Sequence, residues 1–528
     1  MHEAPVLSRS ALLGLALAFA SPVDAQFQPD PMAPGLRWGD FAVPTSPWIP
    51  LDVALGARGE LCLAGAAVGQ QALHLYSTSE QGFSTPSVSW NGVAGALGQV
   101  QVEAGDEPDE LYSLAQMPEP DATQRRTLVR AHDPATLQPR WTHDMGLLSG
   151  GTARLTASQD GERVVAALHD KAGKKVRVDW LDGSSGALEA RLEVAGLGLF
   201  GLEATVDGER VAVMAGLDLW VLEPEAGSLF HHALSAVSEA MALSGDGEHL
   251  AYGIDDGLRV MQWTGAGFVE STHLGAQLGE VVTRADYAEE GDTLAIAYWS
   301  TLAGSAVRVQ CTDKLGNPLG QWVQPPTSGG LQNLPAGLDV SADGSRVALG
   351  LWGSGGSEPE FVLLPREGGV PIATANLVGS VHALDLGDDG TRAAIGIKQA
   401  HANQVGTTGA VLLYDTGERD LQQLSAAYVG GTLELLSAGA PNLPVLFFFG
   451  TPTEQGLVVP GFDGSLRLRL DQPLAQFQAH ADAGGRAPLL LPVPNQAGMA
   501  GLWISVQTLS PFGPDPGFST ARIAPILL

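Results

Sequence analysis

Apolar positions along this chain fall in short alternating runs, and the runs recur. A strand-length apolar segment leads into a polar turn ending near Asp-Gly, and an alternating segment beginning Arg-Val-Ala or a close equivalent follows. The clearest copies are Ser158-Gln-Asp-Gly-Glu-Arg-Val-Val-Ala166, Thr205-Val-Asp-Gly-Glu-Arg-Val-Ala-Val213 and Ser341-Ala-Asp-Gly-Ser-Arg-Val-Ala-Leu349. Ser244 to Ala251 and Gly387 to Ala394 keep the form, Ala288 to Ala295 is looser, and weaker copies surround Gly59 and Gly105. The turn glycines, Gly59, Gly105, Gly161, Gly208, Gly247, Gly291, Gly344 and Gly390, are spaced by 46, 56, 47, 39, 44, 53 and 46 residues. Asp-Gly suits a hairpin corner, because glycine tolerates positive φ and aspartate can bond the turn backbone. A period in the forties filled with strands predicts β-propeller blades.

A second half-pattern follows each copy: a strand ending in an aromatic, as in Leu73 to Tyr76, Val176 to Trp180, Leu217 to Trp220, Leu258 to Trp263 and Val411 to Tyr414. Glycine-containing turns and a fourth strand come next, such as Leu188 to Val194. Four strands per unit make a blade, and the aromatics are expected to fill the space between blades. The fold class read from this is all-β: a β-propeller with eight blades, or seven if the segment around Gly105 is an insertion. The stretch Trp38 to Val53 is a candidate ring-closing strand. On the Asp-Gly-x-Arg-Val-Ala turns and third-strand aromatics, residues 50–426 resemble the broad WD40-like and YVTN-type propeller group. They depart from its WD40 form in lacking a repeated Gly-His, with Tyr414-Asp415 nearest to a Trp-Asp ending. The resemblance is one of fold, which does not fix function.

After about Ala426 the repeat stops. Seven short strands are expected, at Thr432 to Leu436, Pro444 to Phe449, Leu466 to Leu470, Ala475 to Ala481, Leu489 to Val493, Leu502 to Leu509 and Thr520 to Ile526. They suggest a small β-sandwich over 427–528. Its Phe447-Phe-Phe-Gly450, Leu491-Pro-Val-Pro494 and Leu502-Trp-Ile-Ser-Val-Gln507 segments look like the C-terminal domains of exported bacterial proteins of planctomycete type. That resemblance implies packing, sorting or surface retention.

The N-terminus changes the expected compartment. Arg9, the apolar run Ala11 to Ala20, and Val23-Asp24-Ala25 read as a signal peptide over 1–25, cleaved after Ala25. The run is too short to span a bilayer, and no later segment reaches the roughly 18 to 20 apolar residues a membrane helix needs. The chain is therefore expected to be exported to the periplasm, cell surface or medium, and to work as a monomer. The segment 26–50 then precedes a propeller over 51–426. With 58 acidic against 28 basic residues and a net charge of −30, the surface repels nucleic acid and anionic lipid. Cys62 and Cys311 fall in modules one and six, too far apart for a disulfide, and two free buried thiols are expected.

No catalytic, cofactor-binding or metal-ligating residue is assigned. Gly196-Leu-Gly-Leu-Phe-Gly201 matches a dinucleotide expression by letter, but an Asp-Gly hairpin follows it where a helix is required. His231 and His232 are adjacent on a strand and point to opposite faces. Glu289-Glu290 and Asp388-Asp389 sit in repeat turns. The expected function is a non-catalytic binding scaffold for an extracellular protein, glycan or small ligand, with Thr327 to Pro335 and Ser354 to Pro359 as candidate binding loops. The alternatives are a propeller-type enzyme, lactonase-like or another metal-dependent hydrolase with its site in the central funnel, and a structural surface component.

Overall fold

The computed structural model describes most of residues 36–527. It leaves out 1–35, which hold the expected signal peptide, and stretches such as 42–47, 57–60, 78–86, 91–98, 326–332, 354–357 and 416–420. Eight four-stranded antiparallel sheets follow one another along the chain as blades of a ring. Their first strands are Ile49–Leu55, Val100–Ala104, Ala153–Ala157, Gly201–Ala204, Met241–Leu243, Glu280–Tyr287, Pro335–Val340 and Ser380–Leu386. Each first strand packs against the next, and the eighth packs against the first, so the circle closes. The segment around Gly105 is the corner of a full second blade, and the ring has eight blades. The expected closing stretch divides in two: Leu36–Phe41 is the outer strand of blade 8, paired with Gly409–Asp415, while Ile49–Leu55 opens blade 1.

Each Asp-Gly corner joins the first two strands of its blade. At Ser341 the backbone N–H donates to Arg346 O (3.0 Å), the Arg346 N–H donates back to Ser341 Oγ (3.0 Å), and that hydroxyl donates to Asp343 Oδ1 (2.8 Å). Gly344 closes this turn at φ 70°, where a β-carbon would also press on Thr293 of blade 6. The turns do a second job that their local sequence does not announce. The carbonyl of a turn glycine receives a donor from the preceding blade: Tyr112 Oη to Gly161 O (2.9 Å), Trp180 Nε1 to Gly208 O (3.1 Å), and Arg346 to Gly390 O (2.8 Å). The repeat motif thus docks one blade on the next.

The core is a series of apolar layers between blades. Trp180, with no exposed surface, packs with Val165, Val178, Val211, Val213 and Leu222 across blades 3 and 4. Tyr76 lies between blades 8 and 1 and Tyr414 between blades 7 and 8, as the third-strand pattern predicts, whereas Trp220 and Trp263 are only half-buried. Cys62 is buried in blade 1 and Cys311 in blade 6, both as free thiols. Burial pushes the Cys311 thiol up to about 12 and that of Cys62 higher still, so neither forms thiolate at neutral pH. Folded protein should therefore react with no thiol reagent within minutes, and denatured protein with two equivalents. A folded-state titration of one or two thiols would contradict this packing.

The C-terminal region is a small sandwich. One sheet comprises Leu421–Gln423, Thr432–Ala438 and Arg486–Pro492; its first strand starts six residues before 427. The other orders Ala427–Tyr428, Arg522–Leu527, Trp503–Ser510, Pro444–Gly450 and Ala475–His480. Leu433, Leu435, Val445, Phe447 and Val506 fill the space between them, and Ser437 Oγ meets Thr508 Oγ1 at 2.8 Å. A further hairpin, Pro452–Val458 with Ser465–Leu468, includes a strand the sequence pattern did not predict. No helix is assigned among the described residues.

Candidate functional site: the acidic central channel

The first strand of a blade is hydrogen-bonded on one side only. Its free edge faces the centre of the ring, and the N–H groups there need acceptors. The chain supplies them from the neighbouring blade's first strand. Val102 N donates to Asp52 (3.1 Å), Leu155 N to Gln101 (2.9 Å), Val340 N to Asp286 (2.8 Å), Leu386 N to Asp339 (2.5 Å) and Leu55 N to Asp385 (2.5 Å). These side-chain-to-backbone bonds tie together the first strands of blades 6, 7, 8, 1, 2 and 3 at the centre of the propeller.

The same bonds concentrate acid. Glu103, Glu203, Asp286, Asp339 and Asp385 each stand two residues before the residue that opens the turn, respectively Gly105, Thr205, Ala288, Ser341 and Gly387. Asp52, Gln101 and Arg154 form a second layer one pleat further from the turns. Six carboxyls therefore face one channel. Water reaches each side chain from the channel, leaving it half-buried, while protein encloses it on its other sides. That enclosure penalises charge. Desolvation pushes Asp52 and Glu203 up to about 7, although Arg154 draws both down. Glu103 is held well above its ordinary range by desolvation and then by repulsion from Asp52, Glu203 and Asp339. Asp286 and Asp385 are raised well above theirs, and Asp339, which bonds to both, is raised less. Two carboxyls can hydrogen-bond only if one carries a proton. The trio of blades 6, 7 and 8 thus binds protons more tightly than free carboxyls do.

One end of the channel is narrowed by the turns themselves. Gln159 N donates to Val206 O (2.8 Å), Val206 N to Gly245 O (3.0 Å) and Ala342 N to Asp388 O (2.9 Å), linking turns of successive blades. Gln159 Nε2 also reaches Glu289 Oε2 (3.0 Å), from blade 3 to blade 6. Glu289 and Asp388 are turn residues here, as the repeat predicts, whereas Glu290 and Asp389 lie outside the described residues. Most of the candidate loops Thr327 to Pro335 and Ser354 to Pro359 lies outside them too.

Other chemistry-bearing groups are built into the scaffold. Ser113 Oγ and His132 Nε2 are 2.7 Å apart, but both residues are buried, and His132 Nδ1 is fixed by Leu137 O. No substrate reaches that pair. Asp179, fully buried, receives Arg191 through two bonds and His143 from blade 2, and it stays below the usual carboxylate range. Its own enclosure opposes that shift, but the ion pairs and hydrogen bonds outweigh it. Arg308 lies over the Tyr298 ring at 3.7 Å and pairs with Glu280. His231 is exposed, bonded to Asp218 and stacked on Trp220, while His232 turns to the other side near Phe230 and Tyr252. Among the described residues, no group of three or more His, Cys, Asp or Glu side chains is placed to hold a metal ion.

Reading the sequence for catalytic motifs passed over the channel acids. Their signal was present: an acid at a fixed offset before five of the eight turns. It is visible only when the copies are aligned on the turn's first residue, because blade 2 has Pro108 where the other turns have glycine. There Gly105 occupies the turn-opening place that Ser158 and Ser341 hold elsewhere.

No family model matches this chain, and neither does any curated protein. Among solved structures it is similar to one described as "Structure of Dos1 propeller", with 10% identity and a TM-score of 0.48, over 72% of this chain and 94% of that one. The propeller assignment rests on the closed circle of eight sheets.

Proposed function

We propose that the chain is an exported, non-catalytic scaffold that binds an extracellular protein, glycan or small ligand through the faces of its ring. The observation that carries this reading is a division of labour. First-strand acids, turn glycines and third-strand aromatics hold the ring together, while connections on one face leave large apolar side chains in solvent. The C-terminal sandwich then serves packing, sorting or retention, in keeping with its resemblance to the planctomycete-type domains. Among the described residues no helix is long and apolar enough to cross a membrane. The test is to purify the exported form, sequence its N-terminus and measure its metal content before and after dialysis against chelator. Gln26 as the first residue and no stoichiometric metal are expected. A tightly held metal, or an intact N-terminus on exported protein, would overturn the reading.

A second reading draws on the channel. A proton shared between carboxyls is the machinery of acid–base hydrolysis, as in the paired carboxylates of aspartic proteases. It predicts hydrolytic turnover abolished by Asp339→Asn, whereas the scaffold reading predicts none to abolish.

A further inference from the structure

We propose that the face formed by the connections between blades 3 and 6 docks a cationic, amphipathic protein segment. This rests on the scaffold reading and names its face and its class of partner. In a four-stranded blade the links to the next blade and the corners between second and third strands share the face opposite the Asp-Gly turns. Three successive links each expose one large apolar side chain: Leu197 (69% exposed) from blade 3 to 4, Val237 (46%) from 4 to 5, and Leu278 (94%) from 5 to 6. Leu217 (42%) adds a fourth from the adjoining corner of blade 4.

The links are held in place, so the exposure is a fixed feature of the face. Gly196 N donates to Lys174 O (3.0 Å), Leu234 N to Leu217 O (2.6 Å) and Ala276 N to Asp256 O (2.8 Å). A β-carbon at Gly216 would stand 3.4 Å from that of Leu197, which places the first link beside the Leu217 corner. Neighbouring leucines show the selectivity. Within Gly196-Leu-Gly-Leu-Phe-Gly201, Leu199 is 2% exposed in the blade 3–4 core, whereas Leu197 points outward. Leu234 likewise turns inward on the link that exposes Val237. Single exposed leucines are ordinary, but one at each of three successive links on one face is not scatter.

Charge decides the occupant. Acids flank the arc: Asp218, Glu239, and the exposed Asp255 and Asp256 at the corner of blade 5. The basic groups paired with them are His231, Arg284 and His273. The exposed lysines of this face, Lys171, Lys174 and Lys175, stand at its blade 3 end, the last paired with Glu193. A second copy would bring two chains of net charge −30 together. A partner with apolar side chains to cover the arc and Lys or Arg toward blades 4 to 6 meets both features.

The probe is a labelled eighteen-residue amphipathic helix of leucine and lysine, followed by fluorescence anisotropy on the full mature chain. A leucine–glutamate counterpart and a serine–lysine counterpart serve as controls. The expected result is leucine–lysine binding at least tenfold tighter than either control. The triple variant Leu197→Ser, Val237→Ser, Leu278→Ser should lose that tenfold at an unchanged thermal midpoint, because these side chains are exposed. Equal binding of the two lysine peptides, or binding that survives the triple variant, would show attraction to net charge alone and sink the proposal. Concentration-dependent self-association of the wild type that the variant abolishes would make a second copy the occupant, overturning the partner class. A metal found in the purified protein would refute the scaffold reading and leave the peptide outcome to stand by itself.

Discussion

The thermal midpoint of this protein should be highest near pH 5 and fall as the pH rises to 8, by on the order of 5 °C. Asp52, Glu103, Glu203, Asp286, Asp339 and Asp385 all bind protons more tightly in the folded ring than in the unfolded chain. Where the folded state binds more protons, stability falls with rising pH. Each raised carboxyl therefore contributes fully below its unfolded value, and the contribution is lost as pH rises through its folded value. For Asp52 and Glu203 that window runs from their ordinary 3.8 and 4.5 to about 7. With channel water screening each group, about 1 kcal/mol apiece is a reasonable scale, less than full burial would give. Carboxylates held low, such as Asp179, Asp343 and Glu280, act in the opposite sense and weaken the fold as pH falls below their unfolded values. The maximum lies between these two trends.

Asp339→Asn sharpens the test. An amide can still accept from Leu386 N, and it donates to Asp286 and Asp385 without needing a proton. The variant should be more stable than wild type at pH 8 by a few degrees and nearly equal to it at pH 5. A midpoint that is flat or rising from pH 5 to 8 would show that the channel carboxyls are ordinary solvated acids.

Trp180→Ala should be among the most damaging single substitutions in the ring, costing about 3–5 kcal/mol. The side chain has no exposed surface, spans the blade 3–4 layer and donates to Gly208 O at 3.1 Å. Trp180→Phe keeps most of the packing and loses the donor, at about 1–2 kcal/mol. Denaturant midpoints report the order Trp180→Ala below Trp180→Phe below wild type; a chain of this size need not unfold in one step. If the third-strand aromatics were there to stack on a ligand, both variants would keep the wild-type midpoint.

Much of the architecture was legible because its causes are local. Asp-Gly with a preceding hydroxyl fixes a tight corner at four of the turns, and alternation fixes which strand face is buried, so the copies favoured eight blades, with seven left open by the weak copy at Gly105. The free cysteines followed from the same register, since modules one and six are not neighbours in an eight-blade ring. The ring closure was legible only in outline. The sequence placed a candidate over Trp38 to Val53, but Leu36–Phe41 ends in blade 8 and Ile49–Leu55 in blade 1, because closure pairs the chain's beginning with a strand nearly four hundred residues later.

By itself the sequence determined the fold class, the blade period, the burial of Tyr76, Trp180 and Tyr414, and the net charge. Tertiary structure decided where that acidity acts. An acid before a turn is a solvated group when read along one strand. Eight first strands in a closed circle turn five such acids, with Asp52, toward a single channel, where enclosure raises the proton affinity of each. The apolar arc has the same origin: Leu197, Val237 and Leu278 are far apart along the chain, and the circular order of the blades places them at successive links on one face.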